Sequence, residues 1–177
     1  FLIMSDTLIT IIAIFLAAVL MFVFPLMAAS SNQEDVAQLA VTEATQEFVN
    51  KAATKGKITQ DDYDAYVQTL GATGNTYDIK LEVQHLDENP GKKTSATSGD
   101  MVGENVRYSS FTDEILKGIE DNKGTYSLSK GDNVIVTVNN TNTTLAQLLR
   151  NFMYKVTGSD TYQIGASASA LVVSNGK

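Results

Sequence analysis

The sequence predicts an α+β fold: one long N-terminal helix packed on an antiparallel sheet of about four strands, with short helices between them. Three observations predict it. Residues 8–29 are apolar apart from Thr10 and Pro25, and the residues after them keep helical spacing as far as Gly56. Beyond residue 76, stretches that alternate apolar and polar residues recur between turn signals. The chain divides accordingly into an apolar helix at 1–29, its amphipathic continuation at 30–57 and an α+β head domain at 58–177.

The apolar helix comes first. At ~1.5 Å of rise per residue its apolar run covers roughly the ~30 Å hydrocarbon thickness of a bilayer, and the first Lys or Arg of the chain is Lys51. Pro25 removes one backbone bond and brings its ring against the carbonyl of Met21, so a kink or unwound turn is predicted near 21–25. Ala13, Ala17 and Ala18 are small enough to let a second helix approach closely.

An N-terminus made of Phe1, a few residues, one acid at Asp6 and then about twenty apolar residues resembles the mature N-terminus of the type IV pilin superfamily, tight-adherence pilins and pseudopilins included. The resemblance covers about residues 1–55. It differs from a secretory signal, which opens on Met and a basic region and carries a shorter apolar run, so the chain is expected to have been cut just before Phe1. The resemblance implies a homo-oligomeric helical filament at the cell surface, membrane-held before assembly. It also implies a prepilin-type peptidase and an export machinery as partners, and a helix that melts at Pro25 on assembly. Family members commonly carry Glu where Ser5 stands here. Two roles are therefore open to Asp6: pairing with the Phe1 amine of a neighbouring subunit, or capping the helix at the membrane surface.

Ser31-Asn32-Gln33-Glu34 reads as a capping box, followed by Val36, Leu39, Ala40, Ala44, Phe48 and Ala52 at three- and four-residue spacing. Such a box also occurs inside helices, so one continuous rod and a restart at Ser31 are both compatible with it. Gly56 ends the helix, and Lys51, Lys55 and Lys57 suit its negative end.

Thr59 opens a short helix over about 60–70, and Tyr77, Ile79, Leu81, Val83 and His85 alternate with polar residues as a strand. Residues 87–107 are polar and read as a long exposed loop. Ser110-Phe111-Thr112-Asp113 starts a helix through Ile119; Tyr126 and Leu128 form a short strand, and Val134, Val136 and Val138 the inward side of the next. Thr144 to Gln147 is a second capping box, leading a helix with Leu145, Leu148, Leu149, Phe152 and Met153 predicted on its inner side. The last strand runs over about 161–173, with Tyr162, Ile164, Ala166, Ala168, Ala170 and Val172 on one face.

Composition narrows the function. A net charge of −7, with every charged side chain but Asp6 after residue 33, makes the head acidic and disfavours nucleic acid. Without cysteine there is no disulfide, thiol nucleophile or Cys-ligated metal. His85, the only histidine, is expected to be a packed or rim residue rather than a general base. Asp61, Asp62 and Asp64 lack the glycine and distal glutamate of a calcium loop, and suit a helix N-terminus better. No cofactor and no metal site is predicted, and an enzyme is not expected. Asn139 and Asn142 begin acceptor sequons for N-glycosylation, and residues 94–98 are rich in Ser and Thr, although turn chemistry and helix capping account for the same residues. The leading expectation is the structural subunit of a pilus-like filament. The alternative is a single-pass, membrane-anchored binding component of a secretion or conjugation apparatus.

Overall fold

The computed structural model describes residues 2–86, 107–157 and 163–176, with side chains at all of these except 2–5 and 152–157. Phe1, Tyr162 and the predicted loop up to residue 106, with its Ser- and Thr-rich stretch, lie outside the described residues.

The opening helix is continuous. α1 (Leu2–Ala18) passes through one π turn (Val19–Val23) into α2 (Phe24–Lys55), with right-handed helical backbone angles at both joints. Pro25 accounts for the π turn, because a wider turn makes room for its ring and absorbs the backbone bond it cannot form. The irregularity expected near 21–25 thus begins two residues earlier, without breaking the rod. Ser31 does not restart the helix: Glu34, instead of reaching back to Ser31, is buried and accepts hydrogen bonds from Thr144 and Arg150.

α2 turns Ala37, Val41, Ala44, Phe48, Val49 and Ala52 to the core. This corrects the predicted stripe, since Val36 and Leu39 are 69% and 59% exposed. The sheet meets the helix one position further round, where alanines allow a strand to come close. Two contacts fix that rotation: Gln38 clamps Gly165, donating to its carbonyl at 2.6 Å and accepting from its N–H at 3.0 Å, and Val173 donates to the carbonyl of Ala53 at 3.2 Å. Gly56 then caps the helix with φ 68°, a left-handed conformation that favours glycine. A Cβ there would stand 2.3 Å from the carbonyl oxygen of Ser174, so the C-terminal stretch packs where only glycine fits.

β1 (Lys57–Thr59) follows, then α3 (Gln60–Gly71), whose N-cap Thr59 accepts from the N–H of Asp62 at 3.2 Å. Tyr66 of α3 stacks on Phe48 with ring centroids 4.6 Å apart. Its hydroxyl donates to Thr45, which in turn donates to the carbonyl of Val41 at 2.6 Å. Burial pushes the Tyr66 phenol up to about 12.

The main sheet has the order β3-β2-β5-β6, antiparallel throughout, built from β2 (Tyr77–Leu86), β3 (Arg107–Phe111), β5 (Asn133–Asn140) and β6 (Gly165–Leu171). Register pairs Leu81 with Val136, Val83 with Val134 and Val136 with Ala168. The predicted alternation therefore supplies one apolar face, which packs against α2 and against Ile115 and Ile119 of α4 (Thr112–Asp121). β4 (Thr125–Ser127) pairs with β1 in a second, two-stranded sheet. α5 (Leu145–Thr157) begins at the predicted box, with Thr144 and Gln147 exchanging backbone-to-side-chain bonds of 3.1 Å.

The inner side of α5 corrects the prediction. Ala146 and Gln147 are buried, Leu149 is half-buried, and Leu145 and Leu148 are 51% and 56% exposed, while the side chains of Phe152 and Met153 lie outside the described residues. Arg150 and Thr144 both bond Glu34, and those bonds set the rotation of the helix against its apolar stripe.

Candidate functional site

Two regions present unusual chemistry: the apolar helix below the head, and the base of the head where that helix enters it. Along residues 6–29 no side chain is buried, and Leu8, Ile9, Ile12, Phe15, Leu16 and Phe22 all stand open. Each such side chain gains about 2 kcal/mol on leaving water, so the segment must be covered by lipid or protein. By length and composition this helix is able to cross a membrane. The Thr10 hydroxyl donates to the carbonyl of Asp6 at 2.8 Å, which satisfies within the helix a polar group that lipid could not.

Of the predicted assembly residues, Asp6, Ala13, Ala17, Ala18 and Pro25 belong to this rod. Ala13 and Ala17 share one face, Ala18 adjoins them, and Pro25 is the second residue of α2. Asp6 is exposed in the first part of α1. Its predicted partner Phe1 is outside the described residues.

At the base, Glu34 of α2 accepts from Arg150 of α5 and from Thr144 just before it. Beside this cluster a groove of about 920 Å³ opens between α2, the α3–β2 turn and the start of α5, with Val36, Ala40, Thr73, Asn75 and Leu145 in its walls. The far wall is held by Asn142, which accepts from the N–H of Thr76 at 2.8 Å and donates to Asn75 at 3.1 Å. The side-chain amide of this sequon therefore already serves the fold, whereas Asn139 is exposed on β5.

His85 has a neighbour that sequence reasoning missed. Its Nδ1 is hydrogen-bonded to the Asp132 carboxylate at 2.9 Å, and its Nε2 to the Tyr126 hydroxyl at 3.0 Å. Asp132 is buried and also accepts from the N–H groups of Ser129 and Leu86 at 2.8 and 3.2 Å. The carboxylate thus fixes the β4–β5 turn to the end of β2, and the histidine ties Tyr126 to both. Tyr108 lies over the imidazole with centroids 5.0 Å apart. Burial, ahead of a relieving bond from Ser110, pushes the Tyr126 phenol up. Lys130-Gly131-Asp132-Asn133 reads as a turn in sequence, and nothing in that pattern points to a histidine 47 positions away.

Asp62 behaves as a helix-terminal charge with additional partners. It accepts from Lys51 at 2.7 Å and Lys55 at 2.9 Å, tying the start of α3 to the end of α2. Partial burial pushes its carboxyl up, but the two ammonium groups outweigh that and hold it at about 2. Among the described residues no cluster of three or more His, Asp or Glu side chains is arranged to hold a metal ion.

Comparison with protein-family models, with curated proteins and with solved structures finds no match.

Proposed function

We propose that the chain is the structural subunit of a pilus-like extracellular filament, held in a membrane by its N-terminal helix and afterwards packed helix against helix. One observation carries the reading: a single rod whose upper half forms the core of the head, while its lower half, over the described residues 6–29, buries no side chain in its own protomer. Apolar helices that leave lipid must bury the same surface against one another, and a helical array does so without closed symmetry. Ala13, Ala17 and Ala18 give the close approach, and Asp6 supplies the one charge for register. The resemblance of residues 1–55 to type IV pilins points the same way.

The test is electron microscopy of cells that express the chain, together with analysis of sheared surface material. A filament subunit appears in the sheared fraction at high copy, in fibres decorated by antibody to the head. Confinement to the membrane fraction overturns the proposal.

The groove at the base favours a second reading, an anchored binding component of a secretion or conjugation apparatus, because it gives a single copy a concave surface for a partner. Under that reading the protein stays in the membrane fraction and copurifies with apparatus subunits.

A further inference from the structure

α5 is an amphipathic helix that faces the wrong way for a head-domain core. Its sequence places apolar residues at 145, 148, 149, 152 and 153, yet Leu145 and Leu148 point to the outside. That orientation is built rather than incidental, because Glu34 holds both Thr144 and Arg150.

The height of this anchor along the rod matters. Glu34 follows the end of the apolar run by five residues, about 7.5 Å at ~1.5 Å per residue, which places the α5 anchor at the level of the lipid headgroups when the lower helix spans a bilayer. The chain carries a net −7, but the sequence between Asp132 and Asp160 holds no acid; α5 adds Lys155, and Arg150, whose charge is met by Glu34.

We infer that α5 is a membrane-surface helix: its exposed leucine face docks on the headgroup layer of the bilayer while the N-terminal helix spans it, so that the head is held upright at a fixed height. An amphipathic helix with an apolar face and no acid of its own is suited to the plane of such an interface. This rests on the membrane-held stage of the proposed function and on no later step of it. Val36, exposed on α2 beside Leu145 across the groove, extends the same apolar base.

The chain lacks cysteine, so single nitroxide labels can be placed without background. Full-length Ile12→Cys, Leu148→Cys and Thr54→Cys, each labelled and reconstituted in vesicles of equal parts phosphatidylcholine and phosphatidylglycerol, report the span, the α5 face and a point on α2 roughly 38 Å above the apolar run. The expected result is that the Leu148→Cys label is several-fold less accessible to a water-soluble nickel complex than the Thr54→Cys label, and is broadened by lipids spin-labelled near the headgroup. If Leu148→Cys reads like Thr54→Cys while Ile12→Cys reads deep in the bilayer, the docking is overturned and the anchor stands. If Ile12→Cys reads as aqueous, the anchor and the docking both fall. Shielding accompanied by coupling between labels of two copies, without response to the labelled lipids, assigns the face to a second copy and overturns the bilayer as its occupant.

Discussion

Glu34 and Arg150 stand 116 residues apart in sequence and meet as an ion pair under the base of the head, the carboxylate buried and also bonded by Thr144. The pair joins α2 to α5 and sets which side of α5 faces out. Taking two charges out of water is costly, so such a pair adds little over an apolar substitute, but losing one partner leaves the other stranded. Glu34→Ala is therefore expected to destabilise the head by about 3 kcal/mol, and the double variant Glu34→Leu/Arg150→Met by far less. Urea unfolding of the full chain in detergent measures both. Equal losses in the single and double variants would show that the charge pairing is not what holds α5.

Asp62 makes acid stability depend on pH in a defined window. Its carboxyl is held at about 2, below its ordinary 3.8, so the stabilisation it gives is complete above about 4 and is lost as pH falls through about 2. The pair faces solvent on its lysine side, so Asp62→Asn is expected to cost about 1 kcal/mol at neutral pH. The gap in melting temperature between the two proteins should close between about pH 4 and pH 2. A gap that stays constant over that range would mean that the charge of the Asp62 carboxylate is not what stabilises the fold.

Most of the fold was legible because local pattern and tertiary structure agree. Alternation gave β2, β5 and β6; capping residues at Thr59 and Thr144 gave two helix starts; Gly56 gave the end of the rod. β1 and β3 were not legible, since three and five residues carry no usable period, and Arg107–Phe111 is a strand only because β2 lies beside it. The rotations of α2 and α5 were misread for one reason. α2 carries apolar residues on more than one side and α5 turns its single apolar stripe outward, and in both the rotation rests on distant contacts, Gln38 with Gly165 and Glu34 with Arg150. The Asp132–His85 tie belongs to the same class, being a contact made by topology rather than by spacing.

Pro25 is expected to localise any melting of the rod. The π turn at Val19–Val23 already weakens the backbone ladder there, and packing in an array can stretch it further. A map of assembled filaments should lack regular helical bonds near residues 21–25, and Pro25→Ala should straighten that stretch and raise its amide protection. An unbroken, straight helix through it in wild-type filaments would refute this.

The head from about Ser31 onward is expected to be soluble alone and unable to polymerise, since its core draws on α2 from Glu34 upward and none of its buried residues lies in the apolar run. Purified residues 31–177 should run as a monomer on gel filtration. Fibres formed by that fragment unaided would contradict the proposal that the apolar helix is the adhesive surface.

Asp6 is the one charge in a segment that assembly would draw into a protein-lined interior. An unpaired carboxylate there costs several kcal/mol, so it must neutralise or find a cation. If the chain is cut before Phe1, as the pilin resemblance implies, the Phe1 amine so freed is a cation close to it in sequence, and pairing with a neighbouring subunit's would favour correct register on insertion. Asp6→Ala should then leave the protein made and membrane-bound while filaments become scarce, with Asp6→Glu milder. If Asp6 only caps the helix, Asp6→Asn assembles normally at a cost of no more than about 1 kcal/mol of helix stability, because asparagine caps about as well as aspartate. Filament yield counted by electron microscopy separates the two. A normal yield from Asp6→Asn removes the pairing role and leaves the filament proposal standing, since the apolar surface of the helix still has to be buried.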